Sequence, residues 1–547
     1  MKRINILLVV LLLLGVMVAC GGGAEVDTPD EADEAAVEEA VEEEEAVEEE
    51  VAAGAENIGA VMGAECPQRG GTLRVAFQNE WESLDPHITS SYSSYQILNN
   101  VLDGLTFYDN DLNLVPWLAE SWEREENTWV FRIREGVQFS NGREMTAEDV
   151  KFSWERLIDP ETGSGNAGRV GPPETEIEVI DDYTLEVTHP EVFGIFPQSV
   201  GFDKSTGIIA QESVEEDGTI SVPIGTGPFR IAEVQGTTRL VLERNEHYWQ
   251  EGLPCLDQII IEPIPDDTVR ETALRGGEVD WVLAIAPQNF ESLQDDPNVV
   301  VATAPQLSYD YIGLNLTREP FDDPLVRQAI AYAIDRQQLC EAGFFGLCET
   351  LHGGPTGSGS PWDFEYAPYE RDVERARELL AEAGYPDGFE MELMPTTQYG
   401  ETVRAAQVLQ QQLAEAGITA EINALEWSEW LEREGNFQYD AYICNWNGLI
   451  DADQYYYLQH RTGEVFNFTG YSNEEFDELV EEGRSMSEFE ERYPIYEQAD
   501  QILVDDAPYI YMYNKEEIRA YQPNVQGFVV RPDQANNFWP VYLEGEE

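Results

Sequence analysis

From Tyr309 to Leu316 the chain alternates, with Tyr309, Tyr311, Gly313 and Asn315 on one face and Asp310, Ile312, Leu314 and Leu316 on the other. That period of two predicts a strand. Asp323 and Pro324 then open a helix, Asp323 as acceptor for first-turn amides and Pro324 at a position that needs no donor. Val326, Ala329, Ile330, Ala333 and Ile334 follow at helical spacing. The same alternation of periods continues downstream. Helices are predicted over 372–383, closed by Gly384, and over about 401–416, closed by Gly417, with strands over 418–424 and 440–446. Upstream, Gly70 to Phe77 reads as a strand, Thr146 starts a helix, and the β-branched run from Leu256 to Ile264 fits a strand buried in a parallel sheet. Helices and strands in this order predict α/β architecture.

The first 65 residues follow another pattern. Lys2 and Arg3 precede an apolar run from Ile4 to Val18 that is too short to span a membrane and ends in Ala19-Cys20, a signal peptide over 1–20. The ending resembles the lipobox of bacterial lipoproteins, with Met17 where Leu is usual, and implies lipidation of Cys20. Residues 21–65 hold no Lys or Arg and are dominated by Ala, Val and Glu. Repulsion between Glu residues three and four apart opposes the helix propensity of Ala and Glu, so an acidic, disordered tether is expected.

Composition changes the list of partners. With 107 Asp and Glu against 31 Lys and Arg the net charge is −76, and beyond Cys66 the only lysines are Lys151, Lys204 and Lys515. Such a chain does not bind nucleic acid or an anionic surface. The acidity suits a saline exterior or a cationic ligand. Catalytic signatures are missing too: no nucleophile elbow, no HExxH and no CxxC, with the five histidines in unrelated contexts. No enzymatic activity and no cofactor are expected.

Several stretches taken together resemble one family. They are Gly70–Phe77 with the following Ser83-Leu84-Asp85-Pro86-His87, Val115–Trp122, Trp129–Val137, Gly225–Arg230, Asp266–Arg270, Leu274–Asp280, and above all "Y-IG-N" followed by "VRQAIAYAIDR" in 309–336. In this order, over Gly70 to about Val530, they resemble the bacterial extracellular solute-binding proteins of family 5, receptors for peptides, nickel complexes and some sugars that feed ABC importers. The resemblance implies a type II periplasmic-binding-protein-like fold of two α/β lobes that close about a hinge. Lobe I is placed at 66–303, with an inserted subdomain at about 107–210. Lobe II is placed at 304–506, the return to lobe I at 507–547, and the hinge crossings near Ala304–Ser308 and Val504–Pro508. It further implies a monomer, tied by its N-terminal lipid to the outer face of the cytoplasmic membrane, that passes peptides to permease subunits, or in the same role an oligosaccharide, nickel chelate or other solute.

The ligand residues follow from that resemblance. In peptide-binding members an Asp a few residues after a strand-ending Trp pairs with the peptide ammonium; here Leu449 stands in its place. Asp451 or Asp453 is left to supply the charge from a shifted position, or both cap the next helix. Trp446 at the mouth of its strand is a candidate for stacking on a ligand, with Asn445 and Asn447 beside it and Tyr309, Tyr311, Trp427, Trp81 and Glu80 as further walls. Two disulfides are expected. Cys340 and Cys348 flank a short Gly-containing loop, and Cys66 and Cys255 precede strands that the family places side by side, which leaves Cys444 free and buried. A metal held by Cys340, Cys348 and His352 is disfavoured, because exported thiols are usually oxidised.

Overall fold

A computed structural model describes residues 66–201, 204–446 and 450–545. The signal peptide, the tether, Cys20 and Asn447 lie outside the described residues. No helix among the described residues is long and apolar enough to cross a membrane.

Among the described residues one eleven-stranded sheet runs through both lobes. Its lobe I part is built on β1 (Thr72–Phe77), flanked in parallel by a strand at Gln258–Pro263 and a short one at Trp281–Val282. The parallel partner at 258–263 is the β-branched run, but it is not buried throughout: Ile259 and Ile261 are inside, Ile260 is half-buried and Glu262 is exposed, and its other edge pairs antiparallel with 240–243. A second sheet of four antiparallel strands, spanning 119–133 and 176–188, forms the insertion. It is covered by the helix Ala147–Ile158, whose Thr146 and Asp149 complete a reciprocal cap at the N-terminus. The chain re-enters the main sheet past Gly225 and Gly227. A Cβ at these two positions would meet Val101 O at 2.2 and 2.6 Å, so close backbone approach explains both glycines.

Lobe II keeps the predicted alternation. The helix Pro324–Ala333 starts with Asp323 accepting from Leu325 N, and a second helix, Arg336–Phe344, follows with Asp335 as its cap. The helices Val373–Glu382 and Gly400–Ala416 cover parallel strands at Glu390–Pro395, Thr419–Ile422 and Ala441–Trp446.

Two long strands join the lobes. β2 (Val300–Leu314) and β3 (Tyr509–Tyr521) pair antiparallel along nearly their whole length, with the register broken between Pro305 and Tyr309. That break overlaps the stretch 304–308 proposed for the first crossing. The second crossing lies elsewhere than 504–508. Val504 sits inside the helix Phe489–Asp506, and Ile510, Met512 and Tyr513 belong to the lobe II core, whereas Ile518 and Ala520 pack with Ala76, Leu274 and Val282 of lobe I. The chain leaves lobe II near Asn514–Glu516, about a turn of sheet later than the boundary at 507. A single unbroken strand serves both lobes here, so no local signal marks the boundary.

Cys66 is bonded to Cys255 and Cys340 to Cys348, while Cys444 is free and buried. His352 turns to Tyr369 O and Thr350 Oγ1 rather than to sulfur.

Beneath the lobe II sheet lies a core rich in tyrosine that also holds Asp500, which is 1% exposed and accepts from Tyr456 Oη at 2.9 Å. Burial pushes its carboxyl up to about 8, and burial does the same to Glu434. A raised folded-state value means stability that is fully present below the unfolded value and is lost as pH rises through 8. Burial moves His460 the other way, down to about 3, so its contribution is complete above the unfolded value near 6.5 and lost below it. Between pH 6.5 and 8.5 the slope therefore belongs to the carboxylates. Urea titrations over that window should show wild-type stability falling, and Asp500→Asn should remove about 2 kcal/mol of the fall. Parallel curves for the two proteins would mean that Asp500 is ionised throughout.

Candidate functional site

A cavity of about 700 Å³ opens between the inserted part of lobe I and lobe II. Lobe I contributes Tyr108 and Leu112 from a small hairpin, Trp122, Glu123, Arg124 and Trp129 from the four-stranded sheet, and Gln198. Lobe II contributes Trp362, Ile450, Asp451 and the stretch from Met486 to Arg492, where the helix Phe489–Asp506 begins. At its inner end Tyr108, Leu112, Leu307 and Ile450 form a small apolar cluster that joins both lobes to a crossing strand.

The floor is a charge pair. Arg492 Nη1 and Nη2 each donate to Asp451 at 2.6 Å, a bidentate contact with the Arg side chain 1% and the Asp side chain 7% exposed. Burial works against the Arg492 charge, but Asp451 outweighs it and the guanidinium is held above its ordinary value. The same guanidinium lies 5.1 Å from the Trp362 ring and 5.3 Å from that of Tyr496. Asp451 Oδ1 also accepts from Asp453 N at the first residue of the helix Asp453–His460. Asp451 is thus used within the protein, as partner of Arg492 and as a helix-start acceptor. Asp453 is buried too and lies 3.2 Å from Arg484 Nη1, and burial pushes its carboxyl up to about 6.

Of the described residues picked out from sequence, only Asp451 lines the cavity. Tyr309 and Tyr311 are 0% and 1% exposed, inside the tyrosine core; Tyr309 Oη donates to Gln459, and Tyr311 stacks on Tyr509 at 4.2 Å. They are core, because the face of β2 that carries them is covered by lobe II helices. Trp81 is buried in the lobe I core and Glu80 accepts from Thr237 at the surface. Trp427 stacks on Trp430 at 5.1 Å. Trp446 meets Phe466 edge-on at 5.2 Å, and Asn445 lies opposite Asp310 in the sheet.

Sequence reasoning missed Arg492, Trp362, Tyr108 and Arg124. Arg492 had a readable signal. It stands at helical spacing with Tyr496, Ala499 and Leu503, so a cation falls on the buried face of its helix and demands a carboxylate. Among the described residues no group of His, Cys, Asp and Glu is arranged to hold a metal.

The model of the bacterial extracellular solute-binding proteins, family 5 Middle, matches residues 113–467. The glutathione-binding protein GsiB of Escherichia coli (strain K12) is 28% identical over 503 residues, 89% of this chain and 97% of that protein. The ABC transporter-associated periplasmic binding protein DppA from Helicobacter pylori, solved in complex with the peptide STSA, superimposes with a TM-score of 0.72 at 27% identity, covering 87% of this chain and 99% of that one. HbpA2 from Haemophilus parasuis gives 0.79 at 25% identity over 87% and 100% of the two chains.

Proposed function

The chain belongs to the bacterial extracellular solute-binding proteins, family 5, and from that premise we propose that it takes up short peptides in the interlobe cavity as the lipid-anchored receptor of an ABC importer. Its fold is that of the type II periplasmic binding proteins, and its role is to bind a solute rather than transform it. The observation that carries the peptide reading is the cavity itself. About 700 Å³ lies within the roughly 300–1,000 Å³ of small-ligand sites, and its lining alternates aromatic rings with charge.

Because Asp451 is taken by Arg492, a peptide ammonium is met instead by Glu488, Glu490 and Glu491 at the start of the helix Phe489–Asp506, and a carboxylate by Arg124 across the gap. Trp122, Trp129 and Trp362 receive apolar side chains. The same three rings favour one second reading, an oligosaccharide stacked on them. The anchor is the lipidated Cys20, the receptor works as a monomer on the outer face of the cytoplasmic membrane, and the tether at 21–65 gives it reach to the permease.

Mass spectrometry of the purified, gently denatured protein addresses both claims. Released molecules should be short peptides, and the intact chain should begin at an acylated Cys20. Recovery of sugars would transfer the cavity to the second reading, and an unmodified Cys20 would remove the anchor.

A further inference from the structure

The helix Glu474–Ser485 ends with carbonyls that have no partners inside the helix. Two of them are met from within lobe II, Glu482 O by Ser485 Oγ and Gly483 O by Arg492 Nε. The next two are met from lobe I. Gly194 N donates to Arg484 O at 3.2 Å and Arg124 Nη1 donates to Ser485 O at 2.7 Å. One turn on, Gln198 Nε2 donates to Ser487 O at 3.0 Å. A cation at the negative end of a helix dipole adds to the second of these contacts. The opposite lobe thus completes this helix end.

The Arg484 side chain makes a fourth crossing. Its guanidinium lies 4.1 Å from the Tyr457 ring and 3.2 Å from Asp453 Oδ2 in lobe II, and 5.3 Å from the Phe193 ring in lobe I. Phe193 is fixed in turn, since its carbonyl accepts from Trp129 Nε1 at 2.9 Å. Between these groups sits Gly194. Its backbone is not in the left-handed region, so conformation does not require glycine there; the neighbouring lobe does. A Cβ at 194 would lie 2.4 Å from Met486 O and 2.7 Å from Ser485 O.

We propose that the loop 192–198 of lobe I and the turn 484–487 of lobe II form a latch on the outer rim of the cleft, with Arg484 as its positioning residue and Gly194 as the point of close approach. The latch populates the closed form without ligand and sets how long a bound solute stays. Gln198, Met486 and Ser487 of the latch line the cavity but Arg484 and Gly194 do not, so variants at these two positions act on closure and not on ligand contact. Its part in solute retention rests on the reading of that cavity as the ligand site.

Two measurements on the mature chain test this. Small-angle scattering with nothing added compares wild type with Gly194→Val, and surface-plasmon resonance follows the peptide Ser-Thr-Ser-Ala as probe. Gly194→Val should shift the scattering to a more extended particle, with the thermal midpoint unchanged. Arg484→Gln should shift the scattering in the same direction, and Arg484→Lys should fall between it and wild type. Probe dissociation from Gly194→Val should be about tenfold faster, with association little altered. Arg484→Gln leaves Asp453 buried without its cation and can lose stability, so Gly194→Val decides. Superimposable scattering of wild type and Gly194→Val overturns the latch. A wild type that ignores the probe counts against the peptide reading, while the scattering still decides the latch by itself.

Discussion

Arg492→Ala should destabilise the protein by about 3 to 5 kcal/mol, because it leaves the nearly buried Asp451 carboxylate without its cation. The pair is 1% and 7% exposed, and its Coulombic gain only offsets the cost of desolvating two ions. Removal of one partner keeps the cost and discards the gain. Replacement of both, as Asp451→Leu with Arg492→Met, should recover most of the loss, though Asp453 N then loses its acceptor and Gly483 O keeps only Met486 N. Urea midpoints for the two single variants and the double variant measure this coupling. Additive effects would show that the two charges are independently solvated. Because the pair forms the cavity floor, Asp451→Asn should also weaken solute binding through a displaced Trp362 rather than through any lost ammonium contact, and so should affect uncharged and amine-bearing ligands alike.

Loss of the Cys66–Cys255 bridge should cost nearly as much, about 3 to 5 kcal/mol. The bridge closes a separation of 189 residues, the whole of the lobe I insertion and the return to the main sheet, so it restricts the unfolded chain strongly. Its two ends lie beside neighbouring parallel strands, where Gly70 N donates to Cys255 O at 2.8 Å. Cys340–Cys348 spans only 8 residues, and its removal should cost about half as much. Denaturant unfolding of Cys66→Ser with Cys255→Ser, beside Cys340→Ser with Cys348→Ser, gives the comparison. Equal losses would show that native contacts around the sulfurs, and not loop closure, carry the effect.

Local chemistry made much of lobe II readable. The cap at Asp323, proline at the first position of its helix and glycine after 383 and 416 act within a turn of where they stand, so period and punctuation suffice to find them. The strand at 258–263 was legible from its β-branched run and its parallel place beside β1 from the family resemblance, whereas the alternating burial, with Ile259 and Ile261 inside and Glu262 exposed, was not. Tyr309 and Tyr311 show the limit. Alternation told that they share a face, and nothing in the alternation told whether that face meets solvent, ligand or helices. Trp446 was singled out as a large ring at a strand end and Trp427 as a further wall, and in the fold they pack against Phe466 and Trp430.

By itself the sequence determined the periods, the caps, the acidic charge and, through the order of its stretches, the family and the two-lobed class; these are properties of neighbours along the chain or of patterns that relatives share. Only the tertiary structure decided where the crossing strand at 509–521 changes lobes, that Asp451 is spent on Arg492 across 41 residues, and that Gly194 of one lobe must lack a side chain because Met486 of the other stands against it. Each of these is set by a contact between segments far apart in sequence, and the energy of such a contact depends on burial and distance, which no local pattern encodes.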